Sequence, residues 1–162
     1  MPIYMNYEGI KGSVTEAGHK DWVELESCQV GVHRSVTTAA GKAGNRSAGA
    51  PALSEIVCTK VLDKASVNIF KAALSGEGKK CVIDFCRSES NAIAKYLTIT
   101  LENTLIASYN ISGHGGGDHT APHESFSLNY TKIEYAMVSR DDKDKSGGSD
   151  RANYDLSAAK AG

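Results

Sequence analysis

In the segment SGHGGGDHTAPHES, three imidazoles and two carboxylates (His114, Asp118, His119, His123 and Glu124) fall within eleven residues. That donor set suits zinc or nickel. Metal-binding imidazoles are normally oriented by second hydrogen-bond partners, which the four surrounding glycines cannot supply. The plain reading is a solvated hairpin loop between two strands; the sharper one is a metal-dependent site. The run GHGGGD is not a phosphate cradle, because neither Gly-Lys-Ser/Thr nor a following helix accompanies it. A Gly-x-Ser-x-Gly nucleophile elbow is absent.

The remaining chemistry-bearing residues read as structural. Cys81 and Cys86 resemble a C-x4-C metal pair, but they lie in KKCVIDFC, a strand pattern, where a separation of five puts them on opposite faces. With Cys28 and Cys58 they are expected to be free thiols. Glu24 and Glu26 share a strand face with Trp22, either as a paired-carboxylate site or as a wet sheet face. His19 precedes a strand and is expected to be exposed, while His33 alternates within one and faces a polar partner. No catalytic constellation emerges, so the reading is of a protein that is not an enzyme and needs no cofactor.

Between Thr37 and Ala52 the chain is small and flexible, with Lys42 and Arg46 its only charges. A loop this long is either a solvated linker or a contact arm toward another subunit, made by Gly41, Lys42, Asn45 and Arg46.

The elements around these residues are mostly strands. Ile3, Met5 and Tyr7 alternate with polar neighbours in a first strand ending at Gly9. A second, long strand runs from about Trp22 to Val36, and its inward face changes parity between Leu25 and Cys28, as a bulge or bend would cause. Further strands are predicted over 54–61, 79–88, 93–103, 104–112 and 124–138. In the fifth of these, parity changes again between Tyr130 and Ile133. In 104–112 the face is formed by Leu105, Ala107, Tyr109 and Ile111. The only convincing helix has Ser66 as its cap, Ile69, Phe70, Ala73 and Leu74 as its stripe, and Gly76 as its stop. Residues 1–138 therefore form one domain, and 139–162 a polar, mobile tail with at most a short ordered piece near Tyr154. Strands of this number with one helix describe a β-barrel or tight sandwich with the helix across one opening.

The whole chain has 162 residues and a formal net charge of −1, with 18 Lys plus Arg against 19 Asp plus Glu. So even a balance argues against a sequence-independent nucleic-acid binder and gives no reason to expect an anionic membrane. No apolar run reaches membrane-spanning length. The opening MPIYMNYEGIKG has no basic region before an apolar one, so the expectation is folding in the cytoplasm and, if the protein leaves, a leaderless route.

Five stretches carry a resemblance: YEGIKG (7–12), HKDWVELES (19–27), VCTKVLDKASVNIF (57–70), YLTITLENTLIASYNISG (96–113) and ESFSLNYTKIEY (124–135). In this order and spacing they resemble the Hcp family, the hemolysin-coregulated proteins of bacterial type VI secretion, over roughly residues 3–138. Two departures are Val67 where many members have Pro, and Asn-Tyr-Asp-Leu where many have a C-terminal Trp. The resemblance implies a small β-barrel of two sheets with one helix, six copies in a ring, and rings stacked into the injected inner tube. It implies effector proteins carried in the lumen, a spike protein and contractile sheath as partners, and secretion by the type VI machinery. The 37–52 loop would be the arm that reaches the next subunit or ring. Two other readings remain: a ligand-binding barrel using its own interior, and a secreted metal-dependent enzyme built on the His114–His123 loop.

Overall fold

The computed structural model describes residues 1–38, 40–41, 46–89, 92–116, 121–140 and 146–162. Its strands are β1 (Ile3–Tyr7), β2 (Val23–Leu25), β3 (Ser27–Gln29), β4 (Val32–His33), β5 (Val36–Thr38), β6 (Arg46–Ala48), β7 (Ala52–Leu53) and β8 (Ile56–Val61). After the helix α1 (Ser66–Ala73) come β9 (Lys79–Glu89), β10 (Ala92–Ser112), β11 (His123–Asn129), β12 (Lys132–Arg140), β13 (Ser146–Asp155) and β14 (Lys160–Ala161).

The barrel closes because two strand lines bend from one sheet into the other. One sheet runs β2–β1–β9–β10–β12–β13–β14; the other runs β10–β11–β8–β3, and every pairing in both is antiparallel. The line from β2 into β3 turns at Glu26, whose N–H donates to the Thr59 carbonyl. Before that turn Val23 and Leu25 are buried, and beyond it Cys28 takes over the inward face. The line from β11 into β12 turns at Tyr130–Thr131, so Phe126, Leu128 and Tyr130 give way to Ile133. Both parity changes read from the sequence mark these bends. Met5, Val23, Ile56, Ile69, Ile83, Ile99, Leu101, Phe126 and Leu128 fill the interior, each side chain contributing about 1.5–3 kcal/mol by leaving water.

The first turn depends on a close approach. The Gly12 N–H donates to the Asp21 carbonyl at 2.7 Å, and a Cβ at residue 12 would lie 2.0 Å from the Trp22 carbonyl oxygen. Only glycine fits there.

Four features differ from the sequence reading. Residues 92–112 form one continuous strand, kept unbroken by bulges near Tyr96, Glu102–Asn103 and Ala107. The bulge at Glu102–Asn103 moves the inward face from Leu101 to Thr104 and Ile106, and the one near Ala107 carries it on to Tyr109, so Leu105, Ala107 and Ile111 do not form the inward face. The supposed long second strand breaks into β2 to β5, and Val32 points outward at 65% exposure. Ser66 is the first helical residue and not the cap; the turn is held by Asp63, whose carboxylate accepts the Ala65 N–H. Finally, Ser146–Asp155 is not a mobile tail but a strand, hydrogen-bonded along β12 from Lys132 to Arg140. An open edge of β12 supplies backbone partners that any side chains can use.

Candidate assembly surface

Three surface features stand out from the barrel: an arm, an apolar groove at its root, and an apolar ridge on the helix.

The arm is the 37–52 region with its flanks. Here the structure shows two short ladders where a loop was expected: β4 with β7 (Val32↔Leu53, His33↔Ala52) and β5 with β6 (Val36↔Ala48, Thr37↔Ser47, Thr38↔Arg46). Main-chain bonds from Ser54 to Gly31 and from Gly49 to Ser35 continue the zip. Val32 and Val36 are 65% and 51% exposed, so the arm presents apolar side chains to solvent. Gly41 lies near the tip with φ +80°, in the left-handed region that glycine adopts freely. Arg46 opens β6, and Lys42 and Asn45 lie outside the described residues.

Between the arm root and the barrel lies a groove of about 540 Å³, lined by Cys28, Val30, Leu53, Phe85, Leu97 and Tyr135 among others. On the helix, Val67, Phe70 and Leu74 are 62%, 48% and 75% exposed, at a spacing that places them on one side. Phe70 leans edge-on against Tyr109 with ring centroids 5.5 Å apart. Val67, where a proline is common in the resemblance, is simply part of this ridge.

The helix is fixed to the barrel by a buried ionic cluster. Lys60, fully buried, extends Nζ to Glu124 Oε2 at 2.7 Å, Asp63 Oδ1 at 2.8 Å and the Val61 carbonyl at 2.7 Å. Ser66 Oγ donates to Glu124 Oε2 at 2.8 Å and accepts the Asp63 N–H at 2.9 Å. Tyr109 donates its hydroxyl to Glu124 Oε1 at 2.5 Å. Burial, then this carboxylate, push the Tyr109 phenol up to about 12. Burial tends to raise the Asp63 carboxyl, but the Lys60 ammonium and the Ala65 N–H outweigh it and hold the group below the ordinary aspartate range.

A second cluster pins the segment before β2. His19 was expected to be exposed but is only 4% accessible. Its Nδ1 meets Glu16 Oε2 at 2.7 Å and its Nε2 meets Asp84 Oδ2 at 2.9 Å. Each ring nitrogen thus faces a carboxylate, and the ring bridges Glu16 to Asp84. Tyr4 and Trp22 flank it, with centroids 4.7 and 4.8 Å away. Thr98 Oγ1 donates to Asp84 Oδ1 at 2.6 Å, and Lys95 Nζ stands 3.5 Å from Oδ2. Sequence reasoning missed this site because its carboxylate lies sixty-five positions from His19.

The described residues of the histidine-rich loop do not come together. His114 is exposed, His123 Nδ1 meets Glu26 Oε2 at 2.9 Å on the surface, and Glu124 turns inward to Lys60. Asp118 and His119 lie outside the described residues. Among the described residues no three metal-ligating side chains converge. Glu24 sits exposed on its strand, and His33 is exposed on the arm. All four cysteines are free; Cys81 faces the main core and Cys86 the small cluster around Tyr4 and Val14, the opposite faces that their spacing required.

Solved structures of type VI secretion proteins share this fold. A solved structure titled as a type six secretion system protein is 24% identical, with TM-score 0.90 over 99% of each chain. Hcp1 from Salmonella typhimurium is 24% identical, with TM-score 0.78 over 99% of this chain and 97% of that one. A type VI secretion system effector from Yersinia pestis is 22% identical, with TM-score 0.66 over 94% and 98%. No curated protein matches the chain. The family described as "Type VI secretion system effector, Hcp" matches residues 4–136. The chain belongs to the Hcp family.

Proposed function

We propose that this protein is a non-enzymatic structural subunit of type VI secretion that assembles into hexameric rings. The rings stack into the injected inner tube, carry effector proteins in the lumen, and meet the spike and the contractile sheath. The subunit leaves the cytoplasm through that machinery. The observation that carries this reading, beside family membership, is the arm. It projects on two short ladders with Val32 and Val36 bare, as a segment that completes itself on another copy would. A head-to-tail contact of this kind closes a ring when its rotation divides evenly. Gly41, Lys42, Asn45 and Arg46 make the contact with the next subunit or ring.

Light scattering over a concentration range tests it. A plateau near 103 kDa, six times the 17.2 kDa of one chain, is the expected result, and a strict monomer overturns the reading. Replacing residues 40–48 by a short Gly/Ser linker should weaken ring formation or stacking; unchanged rings and tubes by electron microscopy would remove the arm from the contact.

The groove favours a second reading, a barrel that binds a small apolar ligand. Native mass spectrometry separates the two: a monomer that retains a bound small molecule supports the second, a ligand-free hexamer the first.

A further inference from the structure

Two thiols meet inside the barrel, one of them at the edge of the groove. Cys28 on β3 and Cys58 on β8 stand directly opposite each other in an antiparallel ladder. Residues so opposed have Cα atoms about 4.5–5.5 Å apart, within the roughly 4.4–6.8 Å that a disulfide spans. Both side chains face the barrel interior, where they pack in the same core. Their accessibility differs: Cys58 is fully buried, whereas Cys28 is half-buried and lines the groove at the arm root. A small molecule can therefore reach one sulfur and not the other.

We infer that Cys28 and Cys58 form a reversible dithiol–disulfide site, oxidised by a small-molecule disulfide that enters through the groove. The Cys28 thiolate attacks one sulfur of the external disulfide, forming a mixed disulfide and releasing one thiolate. Cys58 then gives up its proton and attacks the Cys28 sulfur, closing the internal bond and releasing the second thiol. The protein loses two electrons and two protons, and the external disulfide takes them up to become two thiols. The division of labour agrees with the environment of each group. The Cys58 thiol donates toward Cys28 and holds it below the ordinary cysteine value, while that same contact and burial push Cys58 up. Cys81, pushed up by burial, is the unreactive neighbour.

The consequence falls on the arm. β4 to β7 all lie between residues 28 and 58, so the bond would cinch the whole arm at its root. The contact would be adjustable in a reducing cytoplasm and locked after transfer to an oxidising space.

The test is to titrate the intact native protein with oxidised glutathione and follow its mass. The expected product has lost two hydrogens, with peptide mapping placing the bond between Cys28 and Cys58 and a reductant reversing it. Cys58→Ala should stop at a single glutathione adduct on Cys28, and Cys28→Ser should not react in the native state. Proteolysis within the arm should slow by about tenfold in the oxidised form. A native protein that stays fully reduced, keeps a stable glutathione adduct, or bonds Cys28 to Cys81 overturns the inference. So does an oxidised form whose arm is cut as fast as before.

Discussion

The helix base and the arm leave the same stretch of β-barrel yet are held by opposite means. At the helix base, a fully buried lysine is enclosed by two carboxylates, a serine and a tyrosine that span residues 60 to 124. The arm has short backbone ladders and exposed valines. A buried ion pair is costly to break because removing one partner strands the other charge, so the helix base has one arrangement. Exposed ladders carry no such penalty, so the arm can take its final shape from whatever it meets. One region fixes the subunit and the other is held only by its own short ladders.

The largest effect that would break this contrast is at Lys60. Lys60→Met leaves Glu124 buried without its cation and should cost about 3–5 kcal/mol in urea unfolding. A loss below about 1 kcal/mol would show that the cluster is not the anchor.

Next comes the His19 cluster, which is built on the same logic but partly wet. His19→Gln keeps one hydrogen bond and breaks the bridge between Glu16 and Asp84, and Lys95 and Thr98 remain to serve Asp84. The expected cost is roughly 2 kcal/mol by the same measurement, less than at Lys60 because Asp84 keeps other partners.

A smaller effect should appear as a pH dependence. The folded Asp63 carboxyl is held below its unfolded value, so the stability it contributes is complete above about pH 4 and is lost as pH falls through the folded value. Asp63→Asn should flatten the stability–pH curve in that acid range and leave its neutral limb parallel to the original. A curve unchanged in shape would show that Asp63 is not differentially charged on folding.

The smallest effect on stability belongs to the exposed surfaces. Val67→Ser, Phe70→Ser and Leu74→Ser should each change unfolding by no more than about 0.5 kcal/mol, as should Val36→Ser on the arm. If assembly uses these surfaces, the same variants lower the mass in light scattering at equal concentration. Stability losses of several kcal/mol would place them in the subunit's core instead.

How much could be read beforehand follows the same division. The parity changes at Glu26 and Tyr130 are visible because alternation reports which face is apolar, and a strand that swaps faces must bend. The helix reports itself through its period, but of the expected stripe only Ile69 is buried and Ala73 partly so, while Phe70 and Leu74 are exposed. By contrast, Glu124 looked like part of a histidine loop, and His19 looked like a surface residue. Each is buried against a polar partner that arrives from another strand, Lys60 for Glu124 and Asp84 for His19. Strand β13 was missed because its residues, SGGSDRANYD, have little strand character; the exposed edge of β12 recruits them through backbone hydrogen bonds.

The amino-acid sequence by itself determined a mainly β chain with one helix, the bend positions, and membership of the Hcp family. These are encoded in local periodicity and in a linear order of motifs. Only the tertiary structure decided which charges are buried, which thiols face each other, and how the arm is zipped. Those outcomes depend on residues far apart in the chain, whose meeting sets the local dielectric and supplies the partner that makes burial tolerable.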